Sequence, residues 1–223
     1  MLVCIPNVLE PSQVKRVREW MDAAEFIDGR TTAGFRAKRV KNNEQVGRNL
    51  PEREEIDRIV LDGLARNAEF KRVVMPRKTQ RPLLSRYREG MEYGLHVDDA
   101  LMGQDGQFRT DVSVTVFLNQ PYDYDGGELE IHSPFGIETV KGPAGSAITY
   151  PSSTLHRVTP VTRGERLAAV TWVQSRIRDP QKREILHDLD LVRRRLSDTQ
   201  KDAEETDLAF KTYANLLRIW AEN

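Results

Sequence analysis

The segment DVSVTVFL, residues 111–118, decides how the middle of this 223-residue chain folds. Along it, one face would carry Val112, Val114, Val116 and Leu118, and the other Ser113, Thr115 and Phe117. Because successive side chains of a β-strand point to opposite faces, a period of two predicts a strand.

Short apolar runs and turn residues surround this strand on both sides. Gly126-Gly127 opens ELEIH, Pro134-Phe135-Gly136 leads into IETV, and Gly142-Pro143 and Gly145 precede SAITY. The run RLAAVTWVQS, residues 166–175, is the last strand of the series. Many short strands at roughly ten-residue spacing are typical of a β-sandwich or barrel, here between about residues 79 and 175.

Helical periods flank the strands. Apolar residues recur at helical spacing in four stripes: Val14, Val17, Trp20 and Met21; Ile56, Ile59, Val60 and Leu64; Ile185, Leu189, Val192 and Leu196; and Leu208, Tyr213, Leu216, Leu217 and Trp220. Pro11 and Pro51 stand where first helical turns tolerate proline, and the helical period returns after Asp179-Pro180. The fold is therefore predicted to be α+β, with an N-terminal helical region (1–77), a β-rich domain (78–178) and a C-terminal helical extension (179–223). The last two stripes pack on the barrel or on a partner chain, so a homo-oligomer through the C-terminal helices is expected.

Composition excludes several classes of protein. Lys plus Arg equals Asp plus Glu at 34 each, so no bulk positive field would recruit nucleic acid or anionic lipid. Cys4 is the single cysteine, which excludes an intramolecular disulfide and a cysteine-rich zinc site and favours a reducing compartment. No segment has the ~18 apolar residues needed to span a bilayer, and the N-terminus does not look like a secretory signal. We therefore expect a cytoplasmic protein without a nucleic-acid or membrane partner.

Three residues form a candidate metal site. In an extended segment, His96 and Asp98 are two residues apart, so their side chains converge on one point. His156 lies in the same β-rich region and completes a set of two histidines and one carboxylate, which leaves coordination positions open. An H-x-D pair alone is common in proteins that bind no metal, whereas this pair followed by Gly126-Gly127, His156 and Arg166 is a far rarer pattern. Asp99 is expected to point away from the site.

The other histidines, His132 and His187, are not expected to be ligands. His132 lies near the end of a strand, and His187 lies on a charged helix. Isolated histidines of this kind occur on many protein surfaces.

The motifs resemble a known family. RYREGMEYGLHVDDALM (86–102), RTDVSVTVFLNQPYDYDGGELEI (109–131) and YPSSTLHRVTPVTRGERLAAVTWVQSRIRD (150–179) resemble the prolyl-4-hydroxylase-like 2-oxoglutarate oxygenases, and most closely the bacterial PKHD-type hydroxylases. DGRTTAG (28–34) and VKNNEQ (40–45) extend this resemblance, as does the helical tail, so that it covers nearly the whole chain.

The resemblance implies a double-stranded β-helix (jelly roll) core that binds Fe(II) through His96, Asp98 and His156. It also implies 2-oxoglutarate and dioxygen as cosubstrates, with L-ascorbate keeping the iron reduced. The reaction would hydroxylate an unactivated C–H bond and release succinate and carbon dioxide. The substrate is left open between a peptidyl group and a small molecule.

The resemblance also assigns the cosubstrate contacts. Arg166 matches the residue that pairs with the distal carboxylate of 2-oxoglutarate, whereas its neighbour Arg163 is expected in a turn. Tyr87, Leu129 and Trp172 match further cosubstrate-binding positions. Three more residues match the lining of that pocket: Thr115, Phe117 and Val158.

Two alternatives remain at this stage. An AlkB-type nucleic-acid demethylase shares the fold and cofactors but typically carries a second arginine six residues after the cosubstrate arginine, where this chain has Trp172. A catalytically silent jelly-roll module could hold a structural ion in the same triad, although it would have no use for an arginine in the pocket.

Overall fold

The computed structural model describes residues 1–47, 50–103 and 106–222. Its five α-helices are α1 (Pro11–Asp22), α2 (Arg53–Arg66), α3 (Ala68–Val74), α4 (Pro180–Thr199) and α5 (Glu204–Trp220). The strands up to the middle of the chain are β1 (Val3–Ile5), β2 (Phe26–Asp28), β3 (Lys41–Asn42), β4 (Glu44–Val46), β5 (Pro76–Thr79), β6 (Leu83–Arg88), β7 (Glu92–His96), β8 (Leu101–Met102) and β9 (Phe108–Arg109). The remaining strands are β10 (Val112–Phe117), β11 (Asp125–Gly126), β12 (Leu129–Ser133), β13 (Gly136–Val140), β14 (Ala147–Pro151), β15 (Leu155–Val158), β16 (Val161–Arg163) and β17 (Glu165–Ser175).

Two antiparallel sheets form the core, as expected for a jelly roll. The larger sheet has the order β1-β14-β10-β17-β6-β4-β2, with β5 also paired to β17. The smaller sheet has the order β13-β12-β15-β7-β3. Buried side chains from both sheets, such as Tyr87, Ile148, Leu129 and Val158, pack together in one cluster, so the sheets face each other across an interior.

The strand β10 is buried along its whole length, although its sequence alternates in polarity. Val112, Val114 and Val116 face a hydrophobic core shared with the N-terminal helices. The opposite face carries Ser113 and Thr115 into the space between the sheets. A polar side of a strand usually faces water, so this inward polar face is a first sign of a site inside the barrel.

The N-terminal helices cover the outer face of the larger sheet, and their predicted stripes are confirmed. Val14, Val17 and Met21 of α1 are buried, as are all four stripe residues of α2. Glu10 and Gln13 cap the first turn of α1 reciprocally around Pro11. Residues 1–77 also contribute β1, β2 and β4 to the larger sheet and β3 to the smaller one, which no sequence period indicated.

The predicted stripe of α4 does not form the buried face of this helix, although Leu189 and Leu196 are half-buried. Ile185 and Val192 are 49% and 50% exposed, and the buried positions are Arg183, Leu186 and Asp190. Asp190 accepts hydrogen bonds from two arginines of the same helix, which satisfies its charge inside the fold. Because ion pairing lets polar residues occupy the inward face, the apolar period alone misidentified that face.

The α5 helix packs against α4 through most of its predicted stripe. Tyr213, Leu216, Leu217 and Trp220 surround a cluster of Met75, Ile177 and Leu186, whereas Leu208 stays 47% exposed. The homo-oligomer through these helices stays a prediction. Asn223, the last residue of the predicted C-terminal segment, lies outside the described residues.

Candidate active site

The three predicted metal ligands come together at one end of the interior. His96 ends β7, Asp98 follows in the connecting loop, and His156 lies in β15 directly opposite His96. Oδ1 of Asp98 is 4.0 Å from Nε2 of His96 and 3.8 Å from Nε2 of His156. In the described part of the chain, these three residues form the cluster that could hold a metal ion, with one donor atom from each within 4.8 Å of the others.

Backbone contacts orient both imidazoles for metal binding. Nδ1 of His96 is 2.8 Å from the carbonyl oxygen of Gly94, and Nδ1 of His156 is 2.9 Å from that of Thr154. A carbonyl can only accept a hydrogen bond, so Nδ1 carries the proton in each ring. Each Nε2 therefore presents its lone pair to the site.

Burial keeps one ligand neutral. Desolvation, and then the neighbouring His156, lower the pKa of His96 to about 4. A neutral imidazole is the form that coordinates a metal ion.

The carboxylate of Asp98 is held by a buried hydroxyl. Ser113 of β10 donates a hydrogen bond of 2.5 Å to Oδ2 of Asp98, and its oxygen is 2.8 Å from that of Ser152. This contact leaves Oδ1 of Asp98 facing the two histidines. Ser113 therefore has a role that its place in an alternating strand did not reveal.

Arg166 lies in the same pocket as the triad. It is only 1% exposed, yet Nε and Nη1 have no hydrogen-bond partner in the part of the chain that the structure describes. Its guanidinium lies over the ring of Tyr87, 5.2 Å from the centroid. A buried cation with free donors is costly, so this geometry suits an anionic ligand.

Two neighbours shape the space around this arginine. Gly127 has a φ of +65°, and a Cβ there would lie 3.2 Å from Cδ of Arg166 and 2.9 Å from Val161. Burial raises the pKa of Tyr87 to about 12. The phenol therefore stays protonated at neutral pH and remains a hydrogen-bond donor.

Most other predicted pocket residues line this space. Leu129, Val158, Thr115 and Trp172 are all in its wall, and Nε1 of Trp172 is buried without a hydrogen-bond partner among the described residues. Arg166 and Trp172 share one face of β17 because they are separated by an even number of residues. Phe117 packs beside the pocket in the cluster between the sheets.

Sequence reasoning missed Tyr93, whose ring stacks on His96 at 3.6 Å between centroids. Three residues apart, the two should point to opposite faces of a regular strand. However, β7 has a bulge, since His96 pairs with His156 whereas Tyr93 pairs with Val158. The extra residue puts both side chains on the inner face. The inward position of Tyr93 can therefore be seen only in the register between β7 and β15.

The loop after β7 also departs from expectation. Asp99, predicted to point away, contributes to the pocket wall next to Gly34, where a Cβ would lie 2.4 Å from its carboxylate. Strand alternation does not apply here because β7 ends at His96. Lys41 lines the same wall; it lies in the segment VKNNEQ, but no role was predicted for it.

The residues set aside as non-ligands lie elsewhere. Arg163 is not in the predicted turn but is the last residue of β16, where it is exposed and pairs with Asp125 at 2.6 Å. His132 lies on β12 near Glu130, 3.6 Å from its carboxylate, and His187 lies on α4.

Sequence comparison finds the same family over the whole chain. A PKHD-type hydroxylase of Synechococcus sp. (strain JA-2-3B'a(2-13)) is 49% identical over 223 residues, covering 100% of both chains. One from Burkholderia ambifaria (strain MC40-6) is 45% identical over 226 residues, again covering 100% of both. This chain belongs to the PKHD-type hydroxylases. The family assignment makes it an enzyme, which removes the silent-module alternative.

Two family models match parts of the hydroxylase. The model of the 2OG-Fe(II) oxygenase superfamily matches residues 82–174, and that of the PKHD-type hydroxylase C-terminal domain matches residues 180–222. The first range contains the triad and Arg166.

Solved structures share the fold. A Pseudomonas putida prolyl-4-hydroxylase has a TM-score of 0.54 at 20% identity, covering 78% of this chain and 92% of that one. A Trichoplax adhaerens prolyl hydroxylase, in complex with a hypoxia inducible factor peptide fragment, has a TM-score of 0.56 at 15% identity, covering 83% and 86%.

The residues of this PKHD-type hydroxylase fit the iron and 2-oxoglutarate that its superfamily uses. Two imidazoles and one carboxylate are a donor set typical of ferrous iron in oxygenases. The guanidinium of Arg166, whose Nε and Nη1 have no partner among the described residues, supplies a counter-charge for a carboxylate in the same pocket.

Proposed function

We propose that this PKHD-type hydroxylase hydroxylates an unactivated C–H bond of a peptidyl or small-molecule substrate, using Fe(II), 2-oxoglutarate and dioxygen. The observation that carries the proposal is the buried Arg166, which has free donors and shares its pocket with His96, Asp98 and His156. A metal site alone would not need this cation, whereas a dicarboxylate cosubstrate would.

His96, Asp98 and His156 hold the metal on one side and leave its other positions open. When bound, iron and 2-oxoglutarate would supply the oxidation. Dioxygen and 2-oxoglutarate would give succinate and carbon dioxide, and the second oxygen atom would enter the substrate C–H bond. Ser113 fixes the carboxylate of Asp98. The backbone carbonyls of Gly94 and Thr154 fix the two imidazole rings.

Arg166 binds the distal carboxylate of 2-oxoglutarate through its planar fork. The protonated phenol of Tyr87 and the indole N–H of Trp172 provide further donors in the same pocket. Leu129 and Val158 exclude water from it. In this proposal, residues 78–178 carry the chemistry, and the segments 1–77 and 179–223 support it.

Nucleic acid is not a proposed substrate. Trp172 occupies the position of the second arginine of AlkB-type enzymes, and the formal net charge of the chain is zero. None of the helices in the described ranges is long and apolar enough to cross a bilayer. The cytoplasmic location stays a prediction.

The test is slow 2-oxoglutarate turnover without added substrate. The wild type should release succinate in the presence of Fe(II), should need ascorbate for sustained turnover, and should be inhibited by N-oxalylglycine, which keeps both carboxylates. His156→Ala and Asp98→Ala should lose this activity, whereas His132→Ala, outside the pocket, should keep it. Absence of succinate from iron-loaded wild type, or equal activity in His156→Ala, would refute the proposal.

A further inference from the structure

One wall of the pocket is built by the segment between α1 and α2. Thr32, Ala33, Gly34, Ala37, Lys41 and Gln45 all line it. These residues precede the part of the chain that matches the oxygenase superfamily, residues 82–174. Because this wall lies outside the region that the oxygenase superfamily has in common, it is suited to select the substrate of this particular enzyme.

Lys41 is the cation of this wall. It pairs with Tyr93 at the edge of the smaller sheet, is 7% exposed, and lies with Nζ 5.1 Å from the centre of the Tyr93 ring. Its Nζ donates a hydrogen bond of 3.3 Å to Oγ1 of Thr32. In the described ranges, no carboxylate oxygen lies within the 4.0 Å of a salt bridge with this ammonium group.

A lysine ammonium has three donors, and a buried one without a counter-charge is costly. Two carboxylates, Asp98 and Asp28, attract the ammonium group of Lys41 through their charge, but each is already bound to other side chains. Asp98 faces the two histidines and accepts from Ser113, and Asp28 accepts hydrogen bonds from Nε and Nη2 of Arg30. Asp99 is exposed at the rim, where solvent screens its charge.

Lys41 and Arg166 are on different walls. Lys41 is on β3, at the edge of the smaller sheet, whereas Arg166 is on β17, within the larger sheet. Two separated cations in one pocket fit two separate anions. The proposed function assigns the cosubstrate carboxylate to Arg166, which leaves Lys41 for the other reactant.

We propose that Lys41 binds a carboxylate of the substrate, so that the hydroxylase acts on molecules with a free acid group that enters beneath the segment 29–45. This inference rests on the proposed function and names a substrate class for the same site. The acid can belong to a small molecule or to the C-terminus of a peptide.

The experiment compares acids with their amides. Protein loaded with Fe(II) and 2-oxoglutarate under argon is titrated calorimetrically with a panel of N-acetyl amino acids and the matching N-acetyl amides. A second arm uses five-residue peptides with free or amidated C-termini. The proteins are the wild type, Lys41→Met, which keeps an unbranched apolar stem, and Lys38→Met, which removes an exposed lysine of the same segment.

We expect the wild type and Lys38→Met to bind at least one acid ~10-fold or more tightly than its amide, as expected from one charge-assisted hydrogen bond. Lys41→Met should reduce that ratio below about 3. A preference for acids among the N-acetyl amino acids indicates a small-molecule substrate, and a preference for free C-termini among the peptides indicates a peptide substrate. Equal binding of acids and amides by the wild type, or binding of neither, overturns the inference, as does an unchanged ratio in Lys41→Met.

A fall in 2-oxoglutarate affinity in Lys41→Met as large as that in Arg166→Met would also overturn it, because the lysine would then belong to the cosubstrate site. Succinate release by the wild type without substrate is measured on the same preparations. It reports on the proposed function separately from this inference.

Discussion

Replacing Arg166 with methionine should separate the stability of the protein from its affinity for 2-oxoglutarate. The guanidinium is 1% exposed, and within the described ranges its Nε and Nη1 have no hydrogen-bond partner and no carboxylate forms a salt bridge with it. Replacement of a buried ion pair by apolar side chains of similar volume is often neutral or stabilises by ~1–4 kcal/mol, and a buried charge without a counter-charge is still more costly to keep. Arg166→Met should therefore unfold at the same temperature as the wild type or a higher one.

The same substitution should abolish most of the stabilisation by cosubstrate. Two charge-assisted hydrogen bonds, each worth roughly 1.5–3 kcal/mol, make a loss of ~100-fold in affinity a moderate expectation. At a 2-oxoglutarate concentration of about 100 times the wild-type Kd, the wild type gains ~2.7 kcal/mol and such a variant only ~0.4 kcal/mol. With ~2–4 °C per kcal/mol for a chain of this size, the Tm shifts are ~5–11 °C and about 1 °C.

The assay is thermal unfolding with and without 2-oxoglutarate, with Zn(II) bound because zinc takes the same ligands without redox chemistry. Arg163→Met is the matched control, since Arg163 is exposed and pairs with Asp125. A full cosubstrate-induced shift in Arg166→Met, or a loss of equal size in Arg163→Met, would refute the assignment.

Two further predictions concern the metal ligands. Ser113→Ala should weaken metal binding by ~10-fold or more in chelator competition, because Asp98 loses the hydroxyl that orients it. Ser152→Ala should have a smaller effect, because Ser152 contacts Ser113 rather than Asp98. Equal metal affinity in Ser113→Ala and the wild type would contradict this prediction. Burial holds the pKa of His96 at about 4, below the ordinary 6.5, so the unfolded chain takes up a proton that the folded one does not. The metal-free protein should therefore lose up to ~3 kcal/mol as the pH falls from 6.5 to 4 in urea unfolding, a loss that His96→Asn should reduce and His187→Asn should not.

Much of the candidate site was predictable because it depends on short-range patterns. The His96-x-Asp98 pair and the parity that groups Arg166 with Trp172 can be read from neighbours along the chain, and His156 was chosen because it lies in the same β-rich region. So can the stripes of α1 and α2. In these places local periodicity and burial agree, because each element packs one face against the core.

Other features depend on how distant segments pair. The bulge in β7 turns Tyr93 toward His96 only because β7 and β15 pair with that register. Lys41 reaches the pocket because β3 joins the edge of the smaller sheet beside Tyr93. The inward face of α4 follows from ion pairs of Asp190 and not from its apolar period.

The sequence by itself therefore determined the family, the expected metal ligands, the arginine proposed for the cosubstrate, and the main strands of the β-rich domain with the helices that flank it. Tertiary structure alone decided which side chains form the wall opposite Arg166, since Lys41 and Gly34 come from a segment without a regular period. The physical reason is that side-chain alternation is a property of a single strand, whereas register and edge pairing are set by contacts between strands far apart in the chain.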